Sequence, residues 1–202
     1  MKKFVFTLVL VTTSFYCHAI DGHNGIKFSM TQQQVEQLGF ICNTSDNSEK
    51  SYLARCKHMD MTGAAFSVPT RNYEVTIGKD KRVSSIGADL VGVRSLADYL
   101  ELHTRISEFF PKKDEAQTFS HQGAGVRRDA WRANDNAGIF LFYSSGVKGL
   151  IKDTLSVTFH SPSSMAAADK KRAEEAAKKA REPKETPSRE NTEGQERNPE
   201  QK

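Results

Sequence analysis

Cys42 and Cys56, the histidines at 23, 58, 103, 121 and 160, and the run Arg127-Arg128-Asp129-Ala130-Trp131-Arg132 are the residues whose chemistry invites a role. If a leader carrying Cys17 is removed on export, Cys42 and Cys56 are the two cysteines left and default to a disulfide, which a loop of this length turns into about 3 kcal/mol of stability in the chain-entropy model. The rival use of Cys56 is a metal site, because Cys56-Lys57-His58-Met59-Asp60-Met61 packs soft ligands closely enough to attract copper. One such run has no matching partner elsewhere in the chain, so the disulfide is expected and no metal or other cofactor is.

Acid–base or nucleophilic catalysis needs a histidine held beside a nucleophile or a carboxylate, and no local pattern places one there. His103 falls on the apolar stripe of a helical segment, where packing is the commoner fate. His121 sits in Ser120-His121-Gln122-Gly123-Ala124-Gly125, whose glycines are followed by a strand-like run rather than by the helix a phosphate loop requires. Asp114, Glu115, Asp129 and Asp135 read as solvated surface. The sequence contains no nucleophile elbow, zinc-protease motif or calcium loop, so no catalytic residue is expected.

Trp131 flanked by Arg127, Arg128 and Arg132 looks more like a recognition surface, since tryptophan and arginine dominate binding hot spots. On a strand, Arg128, Ala130 and Arg132 share one face, and Arg127, Asp129 and Trp131 the other. Trp131 and Arg128 are the leading anchors, with only one able to lie on a contact face. Phe140 and Phe142 alternate with Leu141 and Tyr143 in the same way. A partner protein is expected to meet the hairpin from Arg127 to Tyr143.

The elements that must position these residues are legible from pattern. Ile26 and Phe28 alternate as a short strand, Thr31 with Gln34 forms a capping box, Met30 and Val35 occupy the positions of a hydrophobic staple, and Gly39 stops the helix. Strands are expected at 51–57, 72–77, 82–91, 126–133, 138–143 and 153–160, with turns at Gly78–Lys81 and Asn134–Ala137. Ser95 with Asp98 repeats the capping signal ahead of Leu96, Tyr99, Leu100, His103, Ile106 and Phe110, a helix that Pro111 ends. The pattern reads as helix followed by antiparallel strands, twice over. The fold class is therefore α+β: an antiparallel sheet with helices on one face, which can be divided into tandem helix-plus-strands units at 20–91 and 92–164.

The stretch from Gly25 to Cys42 resembles the strand–turn–helix that opens each repeat of the β-lactamase-inhibitor protein and of the small lipoproteins of the outer-membrane barrel assembly machinery. That resemblance implies the same α+β repeat and a sheet or helix face that grips proteins.

Both ends of the 202-residue chain differ from its middle. Met1–Ala19 has Lys2 and Lys3, an apolar stretch from Phe4 to Val11, and Cys17-His18-Ala19 with small residues where a signal peptidase reads them. The expected product is an exported, periplasmic protein beginning near Ile20. Its apolar core is too short to span a bilayer. The bulky Phe15-Tyr16 before Cys17 argues against lipoprotein processing. Losing Lys2 and Lys3 lowers the net charge from +4 to +2, which is no nucleic-acid signature. From Met165 onward there is no Val, Ile, Leu, Phe, Tyr or Trp, so 165–202 is read as a polar tail, an Ala-rich helix to Arg181 and disordered after Pro183.

These observations favour a periplasmic protein-binding module without catalysis, of inhibitor, immunity or envelope-assembly type, whose partner is another envelope or secreted protein. The alternatives are a small envelope hydrolase acting on cell-wall material and a periplasmic metal-handling protein.

Overall fold

A computed structural model describes residues 19–45, 50–92, 95–110, 112–121, 124–145 and 153–181, with backbone alone over 112–121 and at 124. The expected leader to residue 18, residues 122–123 and everything after 181 lie outside the described residues. Within them the order is β1 (Gly22–His23), β2 (Ile26–Lys27), α1 (Gln32–Gln37), β3 (Ile41–Thr44), β4 (Tyr52–His58), β5 (Gly63–Ala65), β6 (Val68–Gly78) and β7 (Val83–Leu90). Then follow α2 (Leu96–Phe109), β8 (Lys112–His121), β9 (Ala124–Arg132), β10 (Gly138–Ser144), β11 (Thr154–His160) and α3 (Pro162–Arg181).

Both helices that precede strands begin as their sequences require. Thr31 Oγ1 accepts from the Gln34 amide while Gln34 Oε1 accepts from the Thr31 amide at 2.9 Å. Ser95 and Asp98 make the same reciprocal pair. These bonds satisfy amide groups that have no partner inside a helix. Gly39 adopts φ +91°, the left-handed conformation that ends α1 without a Cβ penalty.

All sheet pairings are antiparallel, in the order β3-β4-β6-β7-β11-β10-β9-β8, with β5 added to β6. The first meander (β3, β4, β6, β7) follows α1 and the second (β8 to β11) follows α2. Their last strands join the halves, from Ser156 opposite Asp89 to His160 opposite Ser85. The chain thus adopts the expected α+β fold as two helix-then-strands units sharing one sheet.

Four strands, β1, β3, β5 and β8, fall outside the expected elements. Ile41–Thr44 and Lys112–His121 are the outermost strands of the large sheet, and neither carries a run of alternating apolar and polar residues. The stripe of α2 is also rotated from its expected position. Tyr99, Leu102 and Ile106 are buried, whereas Leu96 and Leu100 are exposed.

One continuous core lies between the sheet and the first two helices. Val35 of α1 and Tyr99, Leu102 and Ile106 of α2 pack with Val75, Ile77, Ile86, Val157, Ile139 and Leu141. Cys42 and Cys56 face each other across β3 and β4 and form the expected disulfide. Its sulfurs are no longer available as thiolates, which removes Cys56 from the copper-site alternative.

The chain divides into compact units at 1–168 and 169–202. In the first, Met165 is 1% exposed and packs with Ala130 and Phe140 on the sheet face opposite α1 and α2. Placing Met165 in a solvated tail is therefore corrected. Its composition resembles the tail, but the helix containing it starts at Pro162, tied by the Met165 amide to the Ser161 carbonyl. In the second unit, α3 continues to Arg181 with ion pairs Lys170–Glu174 and Lys171–Glu175 at i,i+4 spacing.

Among the described residues, no helix is long and apolar enough to cross a membrane.

Candidate binding face of the sheet

β9 and β10 pair with Trp131 opposite Ile139, Asp129 opposite Leu141 and Arg128 opposite Phe142. Strand alternation then sorts the predicted residues into two groups. Arg128, Arg132, Phe140 and Phe142 share the outer face, while Arg127 and Trp131 turn towards α2.

Trp131 is 1% exposed, so its expected role as a partner anchor is corrected: it is a core residue. Its indole Nε1 donates to Ser107 Oγ at 3.0 Å, and its ring lies 5.2 Å from that of His103. Such a ring under a helix supplies packing area and locates the helix over the strand.

The neighbouring Asp129 is fully buried, contrary to its reading as solvated surface. Tyr99 Oη donates a hydrogen bond to Asp129 Oδ2. Arg127 Nε lies 3.6 Å and His103 Nε2 3.8 Å from the same oxygen, and the Arg127 guanidinium sits 5.1 Å over the Tyr99 ring. Burial first, then the Asp129 hydrogen bond and charge, push the Tyr99 hydroxyl well above its ordinary range, so it stays a donor. A carboxylate can be buried because a donor and two basic groups surround it. The signal for this cluster was Tyr99 and His103, one turn apart on α2, but nothing local linked them to Asp129, 30 positions beyond Tyr99.

On the outer face the Arg128 guanidinium lies 4.3 Å over the centre of the Phe140 ring and 5.5 Å from that of Phe142. Cation–π attraction holds the charge against the two rings. The two phenylalanine rings are 6.3 Å apart, and His160 meets Phe140 edge-on at 4.6 Å. Burial, helped by the charge of Arg128, lowers the pKa of His160 to about 4, so its imidazole is neutral at neutral pH. Met165 closes one side of this patch and buries Phe140, leaving Phe142 and Arg128 half-buried. Arg132 is half-buried at the end of β9 on the same face.

Comparison with protein-family models, curated proteins and solved structures found no match to the chain.

Beside the aromatic patch, the outer face of β4, β6, β7 and β11 forms a depression of about 400 Å³. Its floor is low because Thr76, Ser85, Ser156 and Thr158 are short and Gly87 has no side chain, where longer side chains would fill the saddle of a twisted sheet. Its rim is charged: Glu74 pairs with Lys57 at 3.5 Å and Arg55 at 3.9 Å, and Asn72 donates to Asp89 at 3.0 Å. Small hydroxyls, a charged rim and an aromatic–arginine patch on one surface can present hydrogen bonds and apolar contact together.

Proposed function

We propose that the protein is an exported protein-binding module without catalysis, which grips another envelope or secreted protein through the outer face of its sheet. The observation that carries this reading is Arg128 lying across Phe140 and Phe142 beside the polar depression. Arginine and aromatic side chains held in place before binding lose little conformational freedom on contact, which is what makes them effective anchors. The resemblance of residues 25–42 to repeats of protein-gripping families supports the same reading, and the Cys42–Cys56 disulfide suits an oxidising compartment.

The test uses the mature chain as bait in envelope extract, followed by affinity measurement with the retained protein. Arg128→Ala and Phe142→Ala should each weaken binding about 30-fold, equivalent to about 2 kcal/mol, while the unfolding midpoint moves by no more than a few degrees. Unchanged affinity in both variants places the contact elsewhere.

A hydrolase is the second reading, and His103 with Asp129 under α2 is the observation in its favour. The 3.8 Å separation exceeds a hydrogen bond, and Tyr99 already donates to the nearer carboxylate oxygen. That geometry fits the positioning of α2 better than proton transfer.

A further inference from the structure

The backbone nitrogen of Ile20 donates to Asp135 Oδ2 at 3.0 Å, a contact spanning 115 positions. Asp135 is held ready for it in the turn between β9 and β10, where its other oxygen accepts from the Ala137 amide at 3.1 Å. The Ile20 side chain is 9% exposed and belongs to the main core, whereas Ala19 is exposed. Among the described residues Ile20 is thus the first that is buried, and it lies directly after the small-residue pattern Cys17-His18-Ala19. A buried side chain and an aimed carboxylate at the same residue are more than an unattached terminus needs, since the first residues of a domain are usually poorly ordered.

We infer that the Ala19–Ile20 peptide bond is the processing site and that Asp135 is the counter-ion for the new terminus. Hydrolysis breaks the bond between the Ala19 carbonyl carbon and the Ile20 nitrogen. Water supplies the hydroxyl that makes the leader's terminal carboxylate, and the released amine takes a proton to become an ammonium. The neutral amide donor at 3.0 Å from Asp135 thereby becomes a charged one, and the hydrogen bond becomes an ion pair of the stronger, charge-assisted kind. Its effect is to pin the mature N-terminus to the β9–β10 turn, at the far end of the same hairpin that carries Arg128 and Phe142. Processing thus completes the fold as well as releasing it. The inference rests on export, which it shares with the proposed function, and is independent of any partner.

The full chain is expressed with its leader, and the protein recovered from the envelope is read by intact mass and N-terminal sequencing. The first residue should be Ile20. Thermal unfolding is then compared between chains beginning at Ile20 and at Ala19, each with and without Asp135→Asn. The Ile20 start should unfold at least about 3 °C higher than the Ala19 start, and Asp135→Asn should abolish that gap. If Asp135→Asn prevents folding, the gap between the two starts decides alone. A retained Met1 overturns export and this inference together. A start at a lipid-modified Cys17, or any start other than Ile20, overturns the site. An Ile20 start with no gap, or a gap that survives Asp135→Asn, overturns the counter-ion while leaving export intact.

Discussion

Replacing Met165 by Ala tests the apolar contact through which the beginning of α3 holds the outer sheet face. The side chain is 1% exposed and packs on Ala130 and Phe140, with Phe142 against the same cluster. Burial this complete puts Met→Ala in the range of about 2–5 kcal/mol. The cluster is small and lies on a face where neighbours can relax, which places the loss at the low end, about 2 kcal/mol. For a domain of this size that corresponds to roughly 4–8 °C in Tm. Gly138 provides a second handle on the same contact. A Cβ built there meets Met165 Sδ and Cε closer than side chains tolerate and lies a tight 3.1 Å from Cγ, so the buried thioether must shift. Gly138→Ala should therefore cost about 1–3 kcal/mol by overpacking, and much less once Met165 is Ala. Differential scanning calorimetry of the two single variants and the double variant forms a cycle with a coupling of about 1 kcal/mol or more. A chain ending at Ser161 should unfold near the Met165→Ala midpoint, both measured against a chain ending at Ala168. Additive losses, or a Met165→Ala midpoint within about 1 °C of the parent, would refute the burial of this residue.

Trp131→Ala should destabilise by about 3–5 kcal/mol in urea unfolding, whereas Arg128→Ala should cost about 1 kcal/mol or less; comparable losses would contradict their opposite faces. Tyr99→Phe removes a donor to a buried carboxylate and should cost about 2–3 kcal/mol, read from the same denaturation curves. Cys42→Ser with Cys56→Ser should lower stability by roughly 3 kcal/mol, and thiol titration of the unfolded parent should detect neither cysteine. His23 and His160 both titrate near pH 4, depressed chiefly by burial. Between the ordinary histidine pKa of 6.5 and about 4 the unfolded chain binds protons that the folded chain refuses, so stability is full above pH 6.5 and falls as pH drops towards 4. Partial exposure of both rings reduces the effect to about 1–2 kcal/mol each, and His160→Gln should flatten its share of the acid limb in pH-dependent chemical unfolding.

What the sequence determined by itself is whatever rests on neighbouring residues. Thr31 with Gln34 and Ser95 with Asp98 are three apart, and a helix start is a local hydrogen-bond arrangement, so both caps form where their spacing puts them. Leu155, Val157 and Phe159 alternate because a strand has two faces, and the core takes that set. Period-two parity likewise separates Arg128 from Trp131 without any structure. Parity cannot say which set is covered, because that depends on where α2 lands. Packing of Tyr99, Leu102 and Ile106 over β9 and β10 made Trp131 a core residue, enclosed Asp129 among Tyr99, His103 and Arg127, and left Arg128 with Phe142 outside. Edge strands escaped for a related reason: β3 and β8 are specified by the backbone hydrogen bonds of β4 and β9, which leave no apolar period in their own residues. The Ile20–Asp135 and Met165–Gly138 contacts join positions far apart in the chain, and only tertiary closure brings such pairs within reach.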